Sequence, residues 1–148
     1  MPRVLVVGYG NPLRRDDALG WHAVRELKRR TEAAEIQCLP TRQLTPELAD
    51  RMRHADRVIF IDASAEAEPG RVDVRRVEAI PSRPSFSHRY TPAGLLALCQ
   101  TLYSACPDCY LVSVGAANFE HGEELTPLVG ESLPEVVDQV LRLAAREG

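Results

Sequence analysis

The sequence predicts an α/β fold: a three-layer α/β/α arrangement around a mostly parallel, twisted sheet of about five strands, with helices on both faces. Apolar runs rich in β-branched residues, at 4–7, 58–61 and 110–114, read as strands covered on both faces. Between them lie segments whose apolar residues recur at helical spacing. Length completes the case, since 148 residues make one domain, 1–148, able to bury about two thirds of its unfolded surface in a single core.

Val4-Leu5-Val6-Val7 is the first strand, and Gly8, Gly10 and Asn11-Pro12 turn the chain out of it. Helical periodicity begins near Asp17. Ala18, Leu19, Ala23, Val24 and Leu27 form one stripe, and Lys28-Arg29-Arg30 suits the negative end of that helix. Trp21 follows the stripe and reads as core. A second strand is expected over 35–39. Thr45 reads as an N-cap and Pro46 as a first helical residue, ahead of Leu48, Ala49 and Met52.

The third strand, 58–62, is apolar until its terminal carboxylate, Asp62. Pro69-Gly70 turns into residues 72–77, whose imperfect alternation predicts a half-exposed edge strand. A Pro- and Ser-rich loop, 81–87, leads to a second cap-plus-proline signal, Thr91-Pro92, and a helix carrying Leu95, Leu96, Leu98 and Leu102. Residues 110–114 form another buried strand, and 115–126 a polar loop with Glu120, His121, Glu123 and Glu124. Val136, Val137, Val140, Leu141 and Ala144 mark a closing helix.

A net charge of -3 leaves no basic stripe for nucleic acid. No apolar run approaches the roughly 20 residues of a membrane span. The expected partners are protein or small molecule, with no nucleic acid and no membrane. Without a basic segment and apolar run ahead of the first strand, no secretory signal is visible, and the expected compartment is the cytoplasm. Cys38, Cys99, Cys106 and Cys109 are then expected as reduced thiols, although Cys106-Pro107-Asp108-Cys109 has the C-x-x-C spacing of a redox or zinc site.

Gly8-x-Gly10 after a strand invites a dinucleotide-binding reading. That reading fails because Leu13 replaces the third glycine, and Asp16 and Asp17 would repel a pyrophosphate. Helix-dipole stabilisation explains one acid there, not two. Asp62 lands at the same sheet edge, the edge where open α/β sheets bind ligands, and His88 lies just upstream of the Thr91 helix. Asp17, Asp62 and His88 are therefore expected in one cleft. Two carboxylates and an imidazole make either an acid/base site or an N/O metal site suited to nickel or zinc. No nucleophile elbow and no H-E-x-x-H helix is present, which argues against a covalent mechanism.

Gly8-x-Gly10-Asn11-x-Leu13-x-x-Asp16-Asp17-x-x-Gly20, Asp62 ending an apolar strand, and Ser87-His88 before a leucine-rich helix resemble the hydrogenase maturation proteases, nearly end to end. Thr41-Arg42-Gln43-Leu44-Thr45-Pro46-Glu47-Leu48 and Asn118-Phe119-Glu120-x-Gly122-Glu123-x-Leu125-Thr126-Pro127 resemble segments of one branch of that family.

The resemblance implies an endopeptidase, acting as a monomer, that removes a short carboxyl-terminal extension from a nickel-iron hydrogenase large-subunit precursor after nickel insertion. It assigns the metal contacts to Asp17, Asp62 and His88, with nickel supplied by the substrate and the free enzyme expected metal-free. Many relatives carry glutamate at the Asp17 position, so either the backbone approaches closer here or Asp16 shares the role. Many also carry an Asp-Gly-Gly-Thr-like turn where this chain has Cys38-Leu39-Pro40-Thr41-Arg42, which implies a different target hydrogenase rather than a different reaction. Two chemistries stay open: nickel acting as Lewis acid or source of bound water, and direct water activation by paired aspartates. A nickel-checking chaperone without catalysis and a C-x-x-C redox protein are the alternatives.

Overall fold

Both faces of Val4-Leu5-Val6-Val7 are covered, which is why the run is apolar without alternation. Val4 and Val6 join a core with Leu19, Ala23, Val136 and Val140, while Leu5 and Val7 join a second core with Leu48, Met52, Leu95 and Cys99. The computed structural model describes residues 2–31, 36–81 and 90–147. Its strands are β1 (Val4–Tyr9), β2 (Ile36–Thr41), β3 (Arg57–Pro69), β4 (Val72–Arg76) and β5 (Asp108–Gly115), in the order β2-β1-β3-β5-β4. Every pairing is parallel except β4 with β5, so the expected three-layer α/β/α fold is present. Helices α1 (Leu19–Arg30) and α4 (Pro127–Ala145) cover one face, and α2 (Leu48–Met52) and α3 (Pro92–Tyr103) the other.

A local signal accounts for the start of α3. Thr91 caps α3 as expected, its hydroxyl accepting the Gly94 N–H at 3.0 Å, with Pro92 at the first turn. The same signal at Thr45-Pro46 behaves differently. There the backbone makes a turn, with Leu48 N–H donating to the Thr45 carbonyl at 3.1 Å, and α2 starts at Leu48 without a side-chain cap. The edge strand expected at 72–77 is β4, and β2 forms the opposite edge, which is where its Pro40 is tolerated.

β3 corrects the expectation that the third strand stops at Asp62. It runs on through Pro69, pairing Asp62 with Ser113 and Ala63 with Val114 before a register shift between Ser64 and Pro69. The apolar stretch ends where the helices stop covering the strand, not where the strand stops. The chain goes from β1 outward to β2 and then crosses to β3 on the other side, so the strand order reverses between β1 and β3. A crevice opens at the carboxyl ends of strands at such a point.

Candidate active site

β1 and β3 pair in register with Gly8 opposite Ile61, which brings Tyr9 and Asp62, one residue further along each strand, together at the mouth of that crevice. The Tyr9 hydroxyl donates to Asp62 Oδ2 at 3.1 Å. Tyr9, Gly10, Asn11, Asp17, Arg42 and Asp62 line a cleft of about 610 Å³, which Arg14 and Tyr90 also border.

Asp17 reaches the cleft from the 3₁₀ turn Arg15–Ala18 that precedes α1. Its Oδ2 accepts the Asn11 N–H at 2.7 Å, and the Asn11 side chain accepts from Leu13 N–H at 2.9 Å, closing a tight polar turn. Glycine is required at two points here. Gly10 has φ +140°, and a Cβ on it would lie 3.0 Å from Asp17 Oδ1. Gly8 serves a close approach rather than the turn itself: a Cβ there would sit 2.6 Å from the Gly20 carbonyl carbon, so β1 and α1 pack backbone on backbone. Trp21 is half-buried and donates its indole N–H to the Gly10 carbonyl at 2.8 Å. It braces the turn as well as extending the helix stripe.

Burial pushes the Asp62 carboxyl up to about 7; the neighbouring Asp17 charge adds to the rise, and the Tyr9 hydrogen bond opposes it. Burial, with the adjacent Asp62 charge, likewise drives the Tyr9 phenol well above its ordinary range, so Tyr9 acts as a hydrogen-bond donor. Asp62 can therefore both hold and release a proton near neutral pH, as acid/base work requires, with the Asp17 carboxylate in the same cleft.

The possibility that Asp16 shares the Asp17 role is not supported by its placement. Asp16 is fully buried, and its oxygens accept the N–H groups of Ala117, Asn118 and Thr126 at 2.8, 3.0 and 2.8 Å and the Thr126 hydroxyl at 2.9 Å. Desolvation works against its charge, but these bonds outweigh it and hold the carboxyl below the usual range. Asp16 ties the acid-bearing turn to the loop ahead of α4, leaving Asp17 as the acid of that pair in the cleft.

His88 lies outside the described residues, and among the described residues no cluster of three metal-binding side chains occurs. His54 and His121 are exposed, and the acids around His121 are solvated, as expected of a polar loop.

A family model described as hydrogenase maturation protease matches residues 21–143. The chain belongs to the hydrogenase maturation protease family. Hydrogenase expression/formation protein HupD of Bradyrhizobium diazoefficiens is 30% identical over 161 residues, covering 99% of this chain and 80% of that protein. The hydrogenase 2 maturation protease of Escherichia coli is 28% identical over 154 residues, covering 99% of this chain and 93% of its own. Among solved structures, the hydrogenase maturating endopeptidase HybD from E. coli superposes with a TM-score of 0.81 at 29% identity, over 95% of this chain and 91% of that one.

Within this maturation protease, Tyr9 is the cleft residue that sequence reasoning passed over. Its position at the end of a strand hinted at the sheet edge, but only the β1–β3 register puts its hydroxyl on Asp62. Arg42 is a second, its guanidinium donating to Asn11 Oδ1 at 3.3 Å. The C-x-x-C pair has unequal surroundings. Cys106 is exposed, whereas Cys109 is buried on β5 in the α2/α3 core and its thiol is pushed up to about 12 by burial, the reverse of an activated thiolate.

Proposed function

We propose that this protein is the endopeptidase that removes the carboxyl-terminal extension of a nickel-iron hydrogenase large-subunit precursor once nickel has been inserted. The observation that carries this reading is the pair of carboxylates, Asp17 and Asp62, lining one cleft at the strand-order reversal, in a chain whose family is hydrogenase maturation protease. Nickel enters as part of the substrate. Asp17, Asp62 and His88 are the proposed contacts to it, and two carboxylate oxygens with an imidazole nitrogen suit a divalent ion of that kind. An ion already held by substrate groups, completed by these three, would register only in a correctly loaded precursor.

The cleft supports water activation close to the cut bond. Asp62 is held by Tyr9 and ionises near neutral pH, so it can take a proton from water and return it to the leaving amine. Asp17 is held in orientation by the Asn11 amide and presents its carboxylate to the same cleft. Among the described residues no helix is long and apolar enough to cross a membrane, in keeping with the proposed role of a cytoplasmic monomer acting on a protein substrate.

The test is incubation of nickel-loaded and nickel-free precursor with wild-type and Asp62→Asn protein, read by mass spectrometry of the large subunit. The expected result is loss of the tail only with nickel and intact Asp62. A precursor that binds and keeps its tail under every condition would sink the peptidase reading in favour of a checking chaperone.

A further inference from the structure

On the α2/α3 side of the sheet the apolar core stops at the row formed by Phe60 and Leu111. One pleat further, register places Asp62 beside Ser113 and Ser113 beside Asp73, a polar row across β3, β5 and β4 that no helix among the described residues covers. This row floors a groove of about 570 Å³ that also takes in Ser64, Arg71 and Arg75. The groove and the cleft described above share Asp62 and Ala63, and lie on either side of them.

Arg71 and Arg75 are exposed, and among the described residues neither is in an ion pair, even with Glu66 and Asp73 in the same groove. Arg76 next door contrasts with them: it pairs with Asp108 at 3.2 Å and Glu78 at 3.5 Å and lies over the Tyr110 ring on the opposite face. Two guanidiniums lacking acidic partners offer paired donors to a carboxylate. From β3 to β4 is two strand spacings, about 10 Å, the span of about three residues of extended chain.

We infer that this polar face is the second arm of the substrate cleft, holding the extended polypeptide on one side of the bond cut at Asp62 through an acidic group of that segment bound by Arg71 and Arg75. The inference rests on the peptidase reading above. A chain whose cut bond lies at Asp62 must leave the site on both sides, and the groove is the continuation of the cleft towards β4. It also assigns specificity: the segment crossing β4 carries a carboxylate within about three residues of the cut bond.

The test compares wild type, Arg71→Glu/Arg75→Glu and a charge-matched control, Arg25→Glu/Arg51→Glu, placed on the outer faces of α1 and α2. Processing of nickel-loaded precursor gives KM and kcat. Binding of the same precursor is measured separately by titration, so the groove is judged even where wild type leaves the tail on. The expected result is a rise of about tenfold in Kd and KM for the groove variant, a smaller change in kcat, and near-wild-type binding by the control. Equal weakening in both double variants would reduce the effect to overall charge, and unchanged binding by the groove variant would remove the second arm. Failure of wild type to cleave, with binding still dependent on Arg71 and Arg75, would sink the peptidase reading but keep the groove as a docking surface.

Discussion

The Tyr9 hydroxyl and Asp62 Oδ2, 3.1 Å apart, join the end of β1 to the middle of β3 at the point where the strand order reverses. Phe60 supports the ring from below, edge-on at 6.2 Å between centroids. The contact fixes the orientation of an acid whose carboxyl burial pushes up to about 7, and opposes that rise. Tyr9→Phe keeps the ring packing and removes only the donor. Processing of the precursor should fall about tenfold in kcat/KM, the cost of one hydrogen bond to a charged group. Because that bond opposes the rise of the Asp62 carboxyl, its loss moves the Asp62 titration above about 7, which carboxyl NMR would follow. An unmoved titration would show that Tyr9 does not hold Asp62 in solution.

Asp62→Asn should inactivate the protein and stabilise it at alkaline pH. An aspartate in an unfolded chain ionises near about 3.9, whereas folded Asp62 ionises at about 7. Between those values the folded state keeps a proton that the unfolded state has lost, so the wild-type contribution of this group to stability falls as pH rises through that window. The asparagine variant lacks that slope. The expected gain is on the order of 4 kcal/mol at pH 8 and near zero at about pH 4, read from urea unfolding at the two pH values.

Asp16 carries the opposite sign. Its carboxyl is held below the ordinary range, so the stability it contributes is present above the unfolded value and is lost as pH falls through the folded one. Asp16→Ala strips the acceptor from Ala117, Asn118 and Thr126 and should cost about 3 kcal/mol at neutral pH. Amide exchange should rise first in the loop ahead of α4. A variant with wild-type exchange there would refute the clamp.

Gly20→Ala places a methyl 2.6 Å from the Tyr9 nitrogen and 2.8 Å from the Gly8 Cα. Backbone on both sides cannot yield cheaply, and α1 must move off β1. A loss of about 3 kcal/mol or more is expected, together with weakened processing because Asp17 rides on the turn that opens α1. Thermal unfolding measures the first effect and the precursor assay the second.

Much of this molecule was legible because its signals are local. Apolar β-branched runs mark central strands through burial alone, and Thr91-Pro92 caps α3 because hydroxyl and amide are three residues apart. Thr45-Pro46 carries the same letters and makes a turn instead, since the backbone there closes through the Thr45 carbonyl. The C-x-x-C spacing is uninformative for a similar reason. Spacing says nothing about which cysteine a strand buries, and β5 buries Cys109.

The sequence by itself determined the α/β layering, the acid-bearing turn after β1 and the carboxylate on β3, because strand burial, glycine geometry and residue chemistry are properties of short segments. The resemblance pointed to Asp17, but only the tertiary structure decided whether Asp16 could share its place in the cleft. It does not, because Thr126, 110 positions away, claims Asp16 with its amide and hydroxyl. Long-range packing likewise put the Tyr9 donor on Asp62, because the register between two strands separated by most of a crossover is set by the cores on both faces of the sheet.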